Sequence, residues 1–154
     1  MQTRRNIEAR KNPKQFAKAV AQVGLAAKVL TNKRGEKKFE KTLLEAGVTN
    51  FDIRYELTGQ AKADFIRSAR IAFHPAGLES YGFSAMETLA AGLPTLLIEE
   101  SDWWKAFEQH GVFVSPRIDV ISKLQSLYQT AQPADFMRWA QAETETKSKW
   151  RALI

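Results

Sequence analysis

Two glutamates with seven residues between them, Glu79 and Glu87, bracket the stretch of this 154-residue chain best equipped for chemistry. It begins Phe73-His74-Pro75-Ala76-Gly77-Leu78-Glu79-Ser80-Tyr81-Gly82-Phe83 and ends, beyond Glu87, in Ala91-Gly92-Leu93-Pro94. Gly82 stands where a helix is expected to start, and the N–H groups of a first helical turn have no helical partners and can face an anion. A diphosphate is held by such a helix end together with cations. One carboxylate can accept from two adjacent ribose hydroxyls. Glu87, about one turn inside the helix, is placed for that role. Glu79, in the loop before it, is placed to face whatever hangs from the diphosphate. As an isolated pair the same two acids would be read as ordinary solvent-facing carboxylates. His74, at a strand end before a proline, is open to two readings, a packed structural histidine or a contact to sugar or phosphate.

The elements that must position these residues follow from periodicity and punctuation. Asn12-Pro13 caps and opens a helix carrying Phe16, Ala19, Val20 and Val23, which ends at Gly24. A strand is expected over Ala26–Thr31, then a helix over Glu36–Ala46 with Phe39, Leu43 and Leu44 on one face and Gly47 as its stop. Phe51–Leu57 alternates like a half-buried strand, and Gln60–Ser68 reads as a short helix. Arg70–Pro75 reads as a strand halted by proline, Phe83–Ala91 as a helix closed by Gly92, and Pro94–Ile98 as a buried parallel strand. Helices are expected over 102–109, 118–130 and 135–150, with a strand over Val112–Val114. Strands alternating with helices predict an α/β fold: one Rossmann-like, open, mostly parallel sheet with helices on both faces, in a single domain over 1–154. In such sheets ligands sit outside the carboxyl ends of the strands, where the strand order reverses, which makes the loop after His74 the structural candidate for a site.

Composition narrows the chemistry. There is no cysteine, so disulfides, thiolate metal sites and cysteine nucleophiles are excluded. The two histidines, His74 and His110, are 36 positions apart and do not suggest a zinc pair, so no metal site is expected. No apolar run reaches the roughly 18 residues of a membrane span, and the start of the sequence has no apolar signal core; a cytoplasmic location is the expectation. The net charge of +6 is concentrated early, from Arg4 and Arg5 to Lys41. A basic face suits nucleic acid, anionic membrane or phosphorylated ligands. Over Lys33–Lys41 the interleaved Glu36 and Glu40, with Glu45 beyond, favour a solvated helix with acid–base pairs at helical spacing.

Taken together, Glu79 and Glu87, with Gly82-Phe83 between them and Ala91-Gly92-Leu93-Pro94 behind, resemble the E-x7-E motif of the large family of retaining GT-B glycosyltransferases. Arg5, followed by Lys11-Asn12-Pro13 at a helix start, is similar to the arginine and lysine of that family's C-terminal, donor-binding domain. The resemblance runs from about residue 4 to residue 130. It implies that Arg5 and Lys11 contact the diphosphate, with Arg4 and Arg10 as rivals, and that the backbone at Gly82 and Phe83 contacts phosphate or sugar. It implies that Glu79 binds sugar hydroxyls near the reacting carbon, with Ser80 and Tyr81 beside it, and that Glu87 binds the ribose. The donor would be a nucleoside-diphosphate sugar, transferred with retention and without a cofactor or essential metal. The family's N-terminal, acceptor-binding domain is not in this sequence, so a partner domain or subunit is expected.

Other readings stand beside this one. A second reading is a non-catalytic half that binds a nucleotide sugar and needs a partner. Its basic excess is compatible with a nucleic-acid acceptor, as in phage enzymes that glucosylate DNA. A phosphosugar epimerase is a further doubly wound alternative. Trp103-Trp104 is read as core or partner-domain packing before nucleotide stacking, and Trp139 and Trp150 as packing on the body of the fold.

Overall fold

The computed structural model describes residues 12–75, 83–98 and 111–134. The helices expected over 102–109 and 135–150, and all four tryptophans, lie outside these residues. Helix α1 (Pro13–Val23) starts as expected: Asn12 is its N-cap, and its side chain accepts from the Gln15 N–H. It ends at Gly24, whose φ of 72° is the left-handed geometry that glycine adopts at least cost. Strand β1 (Ala27–Thr31) follows, then α2 (Glu36–Glu45), β2 (Phe51–Tyr55), α3 (Gly59–Arg67) and β3 (Ala72–His74). The chain continues with α4 (Phe83–Ala90), β4 (Thr95–Ile98), β5 (Val112–Ser115) and α5 (Val120–Thr130).

Among the described residues every strand pairing is parallel. The parallel strands expected from the sequence pair, among the described residues, in two separate pieces. They form a two-stranded piece, β1-β2, and a three-stranded piece, β3-β4-β5. Side-chain alternation explains the layering. Leu96 and Ile98 of β4 join Phe73, α1 and α5 in one core cluster, while Leu97 faces the other way and packs with Ala85 and Leu89 of α4. Helices therefore cover both faces of the larger piece. In the smaller piece Ala27 and Val29 of β1 pack with Ala17 and Val20 of α1 and Leu43 of α2. On β1's other side, Lys28 lies 5.5 Å from the ring of Phe65 on α3. Phe16 touches both clusters and stacks on Phe73 at 6.1 Å, so α1 bridges the two pieces.

Element ends shift for local reasons. Strand β2 stops at Tyr55, short of Leu57, because Glu56 takes a positive φ of 55°. Strand β3 starts at Ala72, later than the expected Arg70; the Arg70 guanidinium instead lies 5.3 Å from the Tyr128 ring of α5. Leu44 is exposed, contrary to its expected place on the apolar face of α2. Phe39, Leu43 and the C-cap Ala46 form the inward stripe at i, i+4 and i+7, with Leu43 fully buried and the other two partly so, and Leu44 falls well off it. The lysine-rich helix does carry an acid–base pair at helical spacing, Lys41 to Glu45 at 3.7 Å. Among the described residues no helix is long and apolar enough to cross a membrane.

Candidate functional site

Helix α4 places Glu87 by simple periodicity. Ala85 and Leu89, four positions apart, are buried against Leu97 and Val112. Ser84, Glu87 and Thr88, at i, i+3 and i+4, fall on the other side and line a cavity of about 450 Å³. The helix closes with the Leu93 N–H donating to the Thr88 carbonyl at 3.0 Å and with Gly92 at a φ of 84°. That turn sends the chain straight into β4.

The Glu87 carboxylate is 47% exposed, and its Oε1 is paired with Lys62 Nζ at 2.5 Å. Lys62 comes from α3, whose Phe65 and Ile66 line the same cavity. His74, the last residue of β3, reaches α4 through its Nε2, 3.3 Å from Thr88 Oγ1. Thr88 Oγ1 donates to the Ala85 carbonyl at 2.8 Å and lies 2.9 Å from Thr95 Oγ1. Thr95, fully buried at the start of β4, also reaches the Leu93 carbonyl at 3.0 Å. Each threonine hydroxyl has one proton: with that of Thr88 on the Ala85 carbonyl, that of Thr95 goes either to Thr88 or to the Leu93 carbonyl. This network ties the ends of β3 and β4 to the helix turn that carries Glu87. The packed, structural reading of His74 thus has a concrete partner, and its ring also lines the cavity beside Glu87.

Thr95→Val keeps the shape of this buried side chain and removes its hydroxyl. The expected cost is about 1–2 kcal/mol, because the hydroxyl set between Thr88 and the Leu93 carbonyl, with its one donated hydrogen bond, is lost. Urea denaturation measures it; an unchanged midpoint would show that the network carries no stability.

Of the site residues expected from sequence, Glu87 and His74 are brought to one cavity. Phe83 opens α4. Arg5, Lys11, Glu79, Ser80, Tyr81 and Gly82 lie outside the described residues. Lys62, Thr88 and Thr95 are additions that the sequence did not signal: Lys62 is 25 positions from Glu87, and nothing in the α3 segment marks it. Among the described residues no three imidazole, thiolate or carboxylate groups converge to hold a metal ion.

Parallel strands with helices on both faces, and a polar cluster where β3 ends and α4 passes, define a Rossmann-like α/β fold of the kind that makes one half of a GT-B structure. The fold is similar to that of the pneumococcal O-GlcNAc transferase GtfA, whose crystal structure is a complex with UDP and GlcNAc. The TM-score is 0.68 at 15% sequence identity, over 94% of this chain and 33% of that one. At that identity the likeness is one of fold, and the chain spans about a third of that transferase's length. No protein-family model and no curated protein sequence matches the chain.

Proposed function

We propose that this chain is the donor-binding half of a retaining glycosyltransferase, seating a nucleoside-diphosphate sugar at the carboxyl end of β3. The observation that carries the reading is Glu87: an accessible carboxylate on α4, beside His74 and at the edge of a 450 Å³ cavity. The fold likeness to an enzyme captured with UDP supports it. In this reading Glu87 accepts from both ribose hydroxyls. The α4 start near Gly82 and Phe83 faces the diphosphate, Arg5 and Lys11 neutralise it, and Glu79 holds sugar hydroxyls with Ser80 and Tyr81 beside it. Transfer breaks the bond between the anomeric carbon and the diphosphate oxygen as the acceptor oxygen bonds to the same face. The leaving diphosphate takes the acceptor's proton, and the cations and helix start stabilise its growing charge.

A second reading is favoured by coverage. Because the chain spans about a third of the matched transferase, it binds the donor alone and needs a partner domain to bring the acceptor and complete transfer. Both readings require donor binding. A thermal-shift screen against UDP, GDP and ADP sugars is expected to find one nucleotide that raises the melting temperature. At a ligand concentration near 100 Kd the linkage is about 2.7 kcal/mol, or roughly 5–10 °C for a domain of this size. No stabilisation by any of the three would end both readings. Stabilisation without transfer by the isolated chain would select the second.

A further inference from the structure

Resting on the donor reading, in which Glu87 accepts from both ribose hydroxyls, we infer that Lys62 is the residue that positions it. Lys62 holds the Glu87 carboxylate ready for a ribose, and so sets how well the chain tells a ribonucleotide from its 2′-deoxy analogue. Lys62, Phe65 and Ile66 stand at i, i+3 and i+4 of α3 and share one face of that helix. Phe65 and Ile66 line the same cavity as Glu87, and Lys62 Nζ meets Glu87 Oε1 at 2.5 Å. The next cation of α3 behaves differently: Arg67 pairs within its own helix, with Asp64 at 3.7 Å. Among the described residues Lys62–Glu87 is the one ion pair that joins two elements.

A glutamate on a half-exposed helix face turns freely about its side-chain torsions, and a ligand that needs it in one place must freeze them. Freezing one such side chain weakens binding by roughly two- to ten-fold. Lys62 does part of that freezing before the ligand arrives. The backbone beneath is already held: Thr88, next in the chain, donates to the Ala85 carbonyl at 2.8 Å and lies 2.9 Å from Thr95 Oγ1. The pair still leaves room for a ribose. A carboxylate offers about four lone-pair sites over its two oxygens. Lys62 takes one on Oε1, and two hydroxyls need two more. A 2′-deoxy sugar brings only one of those hydroxyls, so it draws less on the orientation of Glu87. Loss of the Lys62 charge acts on the diphosphate of both nucleotides alike and cancels in the ratio of their affinities.

The test is calorimetric titration of the full chain with UDP, GDP and ADP, each beside its 2′-deoxy analogue. The wild type is expected to prefer the ribose form of the nucleotide it binds. Lys62→Ala is expected to cut that preference by about three- to ten-fold. Lys62→Arg, which keeps a cation of similar reach, is expected to retain most of it. In a Glu87→Ala background, Lys62→Ala is expected to change the preference no further, because the carboxylate it positions is gone. Two results would overturn the role of Lys62 alone: ribose and deoxy forms weakened by the same factor, or not at all, in Lys62→Ala, and a change in preference that persists without Glu87. A different pair of results would remove the donor reading of Glu87, and the role of Lys62 with it. These are a wild type that binds none of the three nucleotides, and a ribose preference that Glu87→Ala leaves intact.

Discussion

Replacing Glu87 with alanine is expected to weaken binding of the nucleotide sugar that stabilises the wild type by about 10- to 100-fold while leaving the free chain nearly as stable as before. The binding loss follows from the proposed pairing of one carboxylate with two ribose hydroxyls. Hydrogen bonds to a charged group contribute about 1.5–3 kcal/mol, and every 1.4 kcal/mol is a factor of ten. The small effect on stability follows from the surroundings of Glu87 in the unliganded fold. Its ion pair with Lys62, the one it makes among the described residues, joins side chains that are 47% and 28% exposed, and pairs of that kind contribute about 0–1 kcal/mol. Two further variants separate a ligand-binding acid from a structural one. Glu87→Gln keeps the acceptor oxygen and the reach but loses the charge, and should fall between wild type and alanine. Lys62→Ala removes the partner and leaves the carboxylate, and should weaken binding less than Glu87→Ala does. Calorimetric titration measures all three. Equal losses of melting temperature in Glu87→Ala and Lys62→Ala, with unchanged nucleotide affinity in both, would make the pair a structural clamp and remove the donor role from Glu87.

Leu96→Ala is expected to be among the most damaging single changes to stability. Leu96 is fully buried on β4, the middle strand of the three-stranded piece. It packs in the cluster that holds α1 and α5 to the sheet. Truncating a leucine in such a place removes its transfer free energy and leaves a hole that rigid neighbours cannot close, at about 2–5 kcal/mol. For a domain of this size that lowers the melting temperature by roughly 10 °C. Ile118→Ala is the matched control: Ile118 is 89% exposed, and its loss should stay within about 0.5 kcal/mol. Urea denaturation of the two variants in parallel reads the contrast. A Leu96→Ala midpoint as close to wild type as that of Ile118→Ala would mean that this core is loosely packed, contrary to the interdigitation of α1, α5 and β4.

What the sequence determined by itself was local. Asn12-Pro13 and Gly24 bound α1 because a cap, a fixed φ and a left-handed stop act within a few residues of themselves. The run Thr95–Ile98 reads as a strand buried on both faces because all four side chains are apolar or can bond locally, and all four are buried. The alternation of strands and helices is enough to define the parallel α/β class, since a parallel strand needs a crossover to return to its sheet. It also placed Glu87 on α4 and His74 at the end of β3, as positions in elements. The tertiary structure decided which of these positions meet. Lys62 reaches Glu87 across 25 residues, and His74, Thr88 and Thr95 join from a strand, a helix and the next strand. It decided that Leu44 faces solvent, because the packing of α2 against α1 and β1 selects one stripe from several apolar candidates. It decided too that the described strands pair in two pieces with a cavity between their edges. Periodicity records which face of an element is apolar. It does not record which edge of a strand finds a neighbour, because backbone hydrogen-bonding groups are the same in nearly every residue and their pairing is settled only when the elements pack.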